Sequence, residues 1–258
     1  SDPAPMIPKI IHLCWLSGDP YPEKIAQCIS TWKKHLPDYE IMLWDTKRFD
    51  VNSTPWTKEA FEAKKYAFVA DYIRFYAVYN YGGIYLDSDV EVMKSFDGLL
   101  RLPYFIGKET NNIKPEVAVF GAEKNTGWVK DCLDFYKDRH FIDANGGLNI
   151  QACPIVMDKV LAEKYQVKSI DSADLFDYSD DTVCLFPRSW FCAHIIDNAK
   201  HIFSYEVTDD TYSVHHFANS WVDHNKFPGG PLHRLYFLLS GKDWKKHYYE
   251  DFHLIQHL

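Results

Sequence analysis

Two carboxylates one residue apart, Asp87 and Asp89, end the short apolar run Gly82-Gly83-Ile84-Tyr85-Leu86. At the end of a strand, residues spaced i, i+2 share a face, and two acids held side by side repel each other unless a cation joins them. Hard oxygen donors of this kind suit Mg²⁺ or Mn²⁺, ions that can also bridge a diphosphate. A bare pair with this spacing is commonly a solvated turn after an edge strand. The Gly-Gly-apolar-aromatic-Leu lead-in sets this pair apart, because it reads as a buried strand delivering both acids to a sheet edge.

Other residues could serve the same chemistry. Asp71 and Arg74 lie i, i+3 in a helical pattern and so share a face. By spacing alone they form either a surface ion pair worth less than about 1 kcal/mol or a hydroxyl acceptor beside a phosphate or sugar donor. Near the carboxyl end, His215 and His216 would point to opposite faces of a strand, and one of them could ligate a metal through a neutral imidazole. Ser220 and Trp221 offer a hydroxyl and an indole N–H suited to phosphate oxygens. The loop Asn145-Gly146-Gly147-Leu148-Asn149 reads either as lining a sugar pocket or as an ordinary turn, Glu116 and the Asp180-Asp181 pair carry the same ambiguity, and Asp174 and Asp177 are candidate nucleophiles that read more readily as solvated loop acids.

The elements that must position these residues alternate. Ile7–Leu16 predicts a buried strand, and Pro22–Leu36 a helix with Ile25, Cys28, Ile29 and Trp32 on its inner face. Tyr39–Trp44 predicts a second strand. This is a βαβ opening of parallel-sheet type. One long helix is expected over Thr57–Tyr81, ended by Gly82-Gly83, with the strand Ile84–Leu86 leading into the acids. Strands follow within Tyr104–Gly121, helices over Trp128–Tyr136 and Cys153–Tyr165, and late strands at Thr182–Phe186 and Tyr212–Phe217. The expectation is an α/β sandwich with a ligand crevice at the carboxyl ends of its strands.

Composition narrows the classes. The 258 residues carry 28 Lys+Arg against 36 Asp+Glu, a net charge of −8, with 47% hydrophobic and 16% aromatic residues. Such a chain is too apolar for disorder and too acidic for general nucleic-acid binding. The aromatic excess is a feature to be explained by core, by stacking on bases or sugars, or by both. The six cysteines are scattered and form no C-x-x-C pair, so they read as buried thiols rather than as a disulfide framework or a zinc site. Ser1–Pro5 read as a non-native leader before Met6, or else as the mark of a truncation; with Met6 native, neither signal peptide nor anchor precedes the first strand. No run reaches the roughly 18 apolar residues of a spanning helix. The protein is therefore expected to be cytoplasmic, with at most peripheral contact at the inner face of the cell membrane. The tail over 228–258 reads as a packed helical extension, its four cations (Arg234, Lys242, Lys245, Lys246) nearly balanced by Asp243, Glu250 and Asp251.

Taken together, these motifs resemble glycosyltransferase family 32, the DXD sugar transferases that include yeast-type initiating mannosyltransferases and bacterial capsule enzymes. More distantly they are similar to the glucosylating domains of clostridial toxins. The matching pieces are Ile7–His12 with Trp15, Trp32…Pro37 with Leu43-Trp44-Asp45, Asp71-x-x-Arg74, Gly82–Asp89, and His215…Ser220-Trp221, in the family's order. The resemblance implies a GT-A fold with a mixed central sheet over 6–258, a nucleotide-sugar donor, Mn²⁺ or Mg²⁺, and transfer with retention of anomeric configuration. It implies that Trp15 stacks on the base and Cys14 adds backbone contacts. Asp71 would bind ribose or sugar hydroxyls, Arg74 the donor sugar or diphosphate, and Tyr85 and Asp87 the nucleotide. The metal would be held by Asp87, Asp89 and His215, the leaving diphosphate by Ser220 and Trp221, and the reaction would depend most on Asp89 and Arg74. The bacterial-type resemblance also implies a UDP-linked hexose or N-acetylhexosamine in preference to a GDP-sugar. The acceptor would be a saccharide, lipid-linked, in polysaccharide biosynthesis. Ala70 and Ala152-Cys153-Pro154 depart from the pattern, the first where the toxins carry Ser, the second where many members have a Gly-Pro turn.

No carboxylate has a nucleophile's signature, which favours a same-face reaction in which the leaving phosphate helps to deprotonate the acceptor. Two other classes fit parts of the sequence: a metal-dependent carbohydrate-binding protein, and a metal-dependent phosphoesterase or nucleotidyltransferase. The latter usually needs more carboxylates around two metals.

Overall fold

In the computed structural model, residues 6–109, 114–193, 195–196, 204–205 and 207–216 are described. The βαβ opening forms as its pattern requires. Strand β1 (Ile10–Cys14) lies parallel to β2 (Glu40–Trp44), and between them helix α1 (Glu23–His35) buries Ile25, Cys28, Ile29 and Trp32. Helices α2 (Pro55–Glu62) and α3 (Tyr66–Tyr81) lead to β3 (Gly83–Leu86), which pairs parallel to the other side of β1. After β4 (Val90–Val92), strands β5 (Tyr104–Lys108) and β6 (Pro115–Ala122) complete a mixed five-stranded sheet of order β2-β1-β3-β6-β5, with β6 antiparallel to β3 and β5. Helices α4 (Gly127–Lys137) and α5 (Cys153–Lys164) follow, then β7 (Gln166–Ser169) parallel to β8 (Thr182–Leu185), a pair of which only the second strand is expected from sequence. The short helix α6 (Arg188–Phe191), the two-residue strands β9 (Ile195–Ile196) and β10 (Ser204–Tyr205), and β11 (Ser213–His215) end the described chain. The α/β class with a mixed central sheet is borne out. The helical tail over 228–258 lies outside the described residues, and among those described no helix is long and apolar enough to cross a membrane.

The single helix expected over Thr57–Tyr81 is corrected to two. Lys64 adopts a positive φ of 57° between α2 and α3, and the Trp56 indole donates across the break to the Phe68 carbonyl at 2.7 Å. Continuous helical periodicity hides this break, because no Gly or Pro marks it. Thr54 instead caps α2 by accepting the Thr57 amide, with Pro55 at the first helical position.

Two contacts fix where the acids emerge. Gly82 and Gly83 have φ of 67° and 114°, and a Cβ on Gly83 would stand 2.6 Å from the Ile10 carbonyl oxygen. Only glycine allows α3 to turn that closely onto β1. Behind them the buried His12 ring donates from Nε2 to the Gly82 carbonyl at 2.8 Å and accepts the Trp44 indole N–H on Nδ1 at 3.0 Å. These partners require the neutral ring. Burial pushes the imidazole down to about 4; the Gly82 carbonyl opposes that and Arg48 adds to it. The unfolded chain takes up this proton from about pH 6.5 downward, and the folded protein only near pH 4. His12 therefore contributes a loss of stability as pH falls through that window, about 3 kcal/mol by pH 4. Urea unfolding at stepped pH should show the wild type losing that much more than His12→Gln, which keeps an amide donor and acceptor but cannot titrate. Equal losses in the two proteins would assign the acid sensitivity elsewhere.

Helix α1 also clamps the segment after the acids. The Trp32 indole, fully buried, donates to the Val90 carbonyl at 2.7 Å, and Thr31 Oγ1 accepts the Val92 amide at 2.9 Å. Burying an aromatic side chain of this size contributes about 1.5–3 kcal/mol, so β4 is held by packing as well as by its pairing with β11.

Candidate active site

The acids sit in the turn between β3 and β4 rather than on a strand. β3 ends at Leu86, the Asp87 amide donates to the Ala118 carbonyl at 2.9 Å, and the Val90 amide closes the turn on the Asp87 carbonyl at 3.0 Å. The shared face expected from strand alternation is thus produced by a turn. β4 pairs antiparallel with β11, which places His215 opposite Val90. His215 Nε2 then lies 3.1 Å from Asp89 Oδ1 and 3.8 Å from Asp87 Oδ2. His216 turns the other way, to Glu91 at 3.3 Å. Of the two histidines, His215 is the one on the acids' side.

A second pair backs the first. Arg74, 4% exposed, reaches Asp71 Oδ1 at 3.1 Å and the Val117 carbonyl at 2.8 Å, and stands 3.6 Å from Asp87 Oδ1. Its guanidinium lies 4.7 Å from the centre of the Tyr85 ring, and the Tyr85 hydroxyl donates to Asp87 Oδ1 at 2.6 Å. Tyr85 is only 1% exposed. Its hydroxyl fixes Asp87; the nucleotide contact that the resemblance implies for it remains a proposal. Asp71-Arg74 is a buried pair and not a surface salt bridge, since its face of α3 packs under the sheet edge.

Charge in this site is arranged around an excess of acid. Burial pushes Asp71 up to about 7; Arg74 pulls it back in part, the Asp87 charge raises it further, and the Cys153 thiol hydrogen-bonds to it. Burial likewise raises Asp87, opposed by Arg74 and reinforced by Asp89. For His215 burial acts downward, but the Asp89 carboxylate, through charge and hydrogen bond, then Glu116 and Asp87, outweigh it and leave the ring at about 9. A protonated imidazole here offsets acids that a divalent cation would offset more fully. Asp87, Asp89 and His215 each offer a ligand atom within 4.8 Å of the others. Two carboxylates and one imidazole are a donor set that Mn²⁺ or Mg²⁺ accepts, so the residues fit such an ion.

Beside this cluster, a cleft of about 420 Å³ opens past the carboxyl ends of β1 and β2, lined by Trp15, Gly18, Asp19, Tyr21, Asp45 and Lys47 among others. The Trp15 indole N–H is fixed on the Asp19 carbonyl at 2.7 Å, and its ring meets Tyr21 edge-on at 5.0 Å. Tyr21 is not singled out by the sequence, although an aromatic six residues beyond Trp15, across a Gly-Asp-Pro turn, is a usable signal. Cys14 is directed inward, its thiol hydrogen-bonded to Tyr85 and pushed by burial up to about 12. The structure therefore brings Cys14, Asp71, Arg74, Tyr85, Asp87, Asp89 and His215 together, with Trp15 at the adjoining cleft. Ser220 and Trp221 lie outside the described residues. Glu116, Cys153 and Cys192 also reach the cluster, and nothing in their local sequence announces it. The loop at 145–149 is a turn held by Asp143, which accepts the Asn145 and Gly147 amides at 2.9 Å.

The sheet thus ends in a turn carrying Asp87 and Asp89, with His215 opposite and the buried Asp71-Arg74 pair behind. Residues 22–113 match the family described as the glycosyltransferase sugar-binding region containing the DXD motif, so the resemblance drawn from the motifs stands. Among curated proteins the chain is 34% identical over 110 residues to inositol phosphoceramide mannosyltransferase 3 of Schizosaccharomyces pombe, covering 41% of this chain and 31% of that protein. It is 35% identical over 107 residues to mannosyl phosphorylinositol ceramide synthase SUR1 of Saccharomyces cerevisiae, covering 40% and 28%. The chain thus matches about a third of the length of these relatives. A solved structure, the PaToxG glycosyltransferase, aligns with TM-score 0.46 and 20% identity over 62% of this chain and 70% of that one.

Proposed function

We propose that the protein is a GT-A-type glycosyltransferase that moves a hexose from a nucleotide sugar to a saccharide hydroxyl with retention of configuration. The observation that carries this reading is the convergence of Asp87, Asp89 and His215 within 4.8 Å of one another, against the buried Asp71-Arg74 pair. Asp87, Asp89 and His215 would hold Mn²⁺ or Mg²⁺. Such an ion, when bound, stabilises negative charge growing on a departing diphosphate. The protein's own groups do the rest. Arg74 supplies a fixed positive charge that holds Asp71 and Asp87 in place. Asp71 presents a carboxyl suited to accept hydrogen bonds from ribose or sugar hydroxyls. Ser220 and Trp221 are assigned to the diphosphate. A same-face reaction, in which the leaving phosphate helps to deprotonate the acceptor, needs no separate nucleophile and is the route we favour.

Trp15 and Tyr21 in the neighbouring cleft make the natural base platform. An aromatic–base stack is worth about 1–3 kcal/mol, so Trp15→Ala should raise the donor KM roughly 5- to 150-fold with a smaller change in kcat. A drop in kcat alone would place the base elsewhere.

The mannosyltransferase names of the fungal relatives support placing GDP-mannose beside the UDP-linked hexoses and N-acetylhexosamines implied by the bacterial-type motifs. A lipid-linked acceptor accords with both names, each of which specifies an inositol-phosphate ceramide. The deciding experiment is a donor-hydrolysis screen across UDP- and GDP-sugars with Mn²⁺ present. One donor should be cleaved at a rate well above the others. No cleavage of any donor, together with binding of free sugars, would favour the carbohydrate-binding alternative.

A further inference from the structure

His215 belongs to two donor sets at once. On one side are Asp87 and Asp89. On the other are Glu116 and Cys192, each offering a ligand atom within 4.8 Å of the others and of His215. The second set comes from three separate elements. Glu116 is the second residue of β6, Cys192 follows α6, and His215 ends β11. The bridge between Ala193 and Val214, with the Ser213 hydroxyl donating to the Phe191 carbonyl at 2.8 Å, holds the Cys192 segment against β11. The Ala118 amide donates to Glu116 Oε1 at 2.7 Å and fixes that side chain. Glu116 and Cys192 are 3% and 0% exposed.

The two sets differ in chemistry. Two carboxylates and an imidazole suit a hard ion. A thiol, an imidazole and one carboxylate suit Zn²⁺, whose bonds to S, N and O are about 2.0–2.3 Å and which binds thiolate far more readily than Mg²⁺ or Mn²⁺ does. The donors would draw in around such an ion, with the thiol proton released to solvent on binding. We propose that Glu116, Cys192 and His215 form a second, soft-metal site that takes Zn²⁺ and draws His215 away from Asp87 and Asp89, so that Zn²⁺ inhibits the Mn²⁺-supported reaction. The site rests on the transferase reading only in its inhibitory consequence; the binding itself does not depend on it.

The test uses the whole chain with Co²⁺ as a spectroscopic stand-in for Zn²⁺. The wild type should show a thiolate-to-cobalt charge-transfer band that Zn²⁺ abolishes by displacement. Cys192→Ser should lack the band, and Cys28→Ser should keep it. Glu116→Gln keeps the thiol and should retain the band with affinity weakened by at least the roughly 10- to 100-fold that loss of even an outer-shell partner costs; it also serves if Cys192→Ser does not fold. Asp89→Asn should keep the band while losing Mn²⁺ binding, which separates this site from the DXD site. No band in the folded wild type, or a band that persists in folded Cys192→Ser, overturns the proposal. A wild type that shows the Co²⁺ band but no Mn²⁺-dependent transfer would count against the transferase reading and not against this site.

Discussion

Asp89→Asn is expected to lower sugar transfer by at least about 10²- to 10³-fold, measured with Mn²⁺ in excess, the scale seen when one group stabilising transition-state charge is removed. The substitution keeps the side chain's shape and leaves the backbone intact. The Asp89 carbonyl still accepts the His216 amide at 3.1 Å, so the β4–β11 ribbon should stay in register. What is lost is the carboxylate facing His215 at 3.1 Å and one of the two charges that would hold the ion. Some melting temperature is expected to be lost with the buried Asp89–His215 contact, but the protein should remain folded at the assay temperature while turnover collapses. Activity near the parent level would mean that Asp89 is not a metal ligand, and the reading of the turn would have to be abandoned.

Arg74→Ala should fail in a different way. The guanidinium is buried and tied to Asp71, Val117 and the Tyr85 ring. Removing one partner of a buried ion pair costs about 3–5 kcal/mol, mostly because the other charge is left uncompensated. At this chain length each kcal/mol lowers the melting temperature by roughly 2–4 °C, so a fall near 10 °C is expected together with loss of transfer. The double variant Arg74→Ala with Asp71→Asn should recover much of the stability, since no orphaned charge remains at Asp71, yet stay inactive. If the single variant melts like the wild type, Arg74 does not anchor the site. If the double variant regains transfer, neither side chain is needed for donor binding.

Local pattern was enough for much of this arrangement. Strands β1, β2 and β3 and helices α1, α4 and α5 fall where periodicity and stop signals put them, because each buries one regular face. The turn at Gly82-Gly83 was legible because only glycine fits there. The break at Lys64 was not, since the apolar spacing continues through it and the cause is tertiary: Trp56 reaching Phe68. In the site, the choice between His215 and His216 needed the pairing of β11 with β4, which one strand's sequence does not contain. The hydrogen bond from the Tyr85 hydroxyl to Asp87, which fixes that acid, is likewise not legible in the strand's own sequence. Glu116, Cys153 and Cys192 each look ordinary in their own segments and gain meaning only where the chain returns to the cluster. The aromatic excess divides in the same way. Rings such as Phe75, Phe120 and Tyr136 are buried in the core, while Trp15 and Tyr21 face a cleft.

The central claim, a nucleotide-sugar site that depends on a cation held by Asp87, Asp89 and His215, is tested most directly by thermal unfolding of the full chain with UDP or GDP, with and without Mn²⁺. A ligand at 100 times its Kd stabilises the folded state by about 2.7 kcal/mol, which at this size corresponds to a rise of roughly 5–11 °C. The account predicts that rise for one of the two nucleotides, only when Mn²⁺ is present, and not in Asp89→Asn. No rise with either nucleotide, or an equal rise without Mn²⁺, would contradict it.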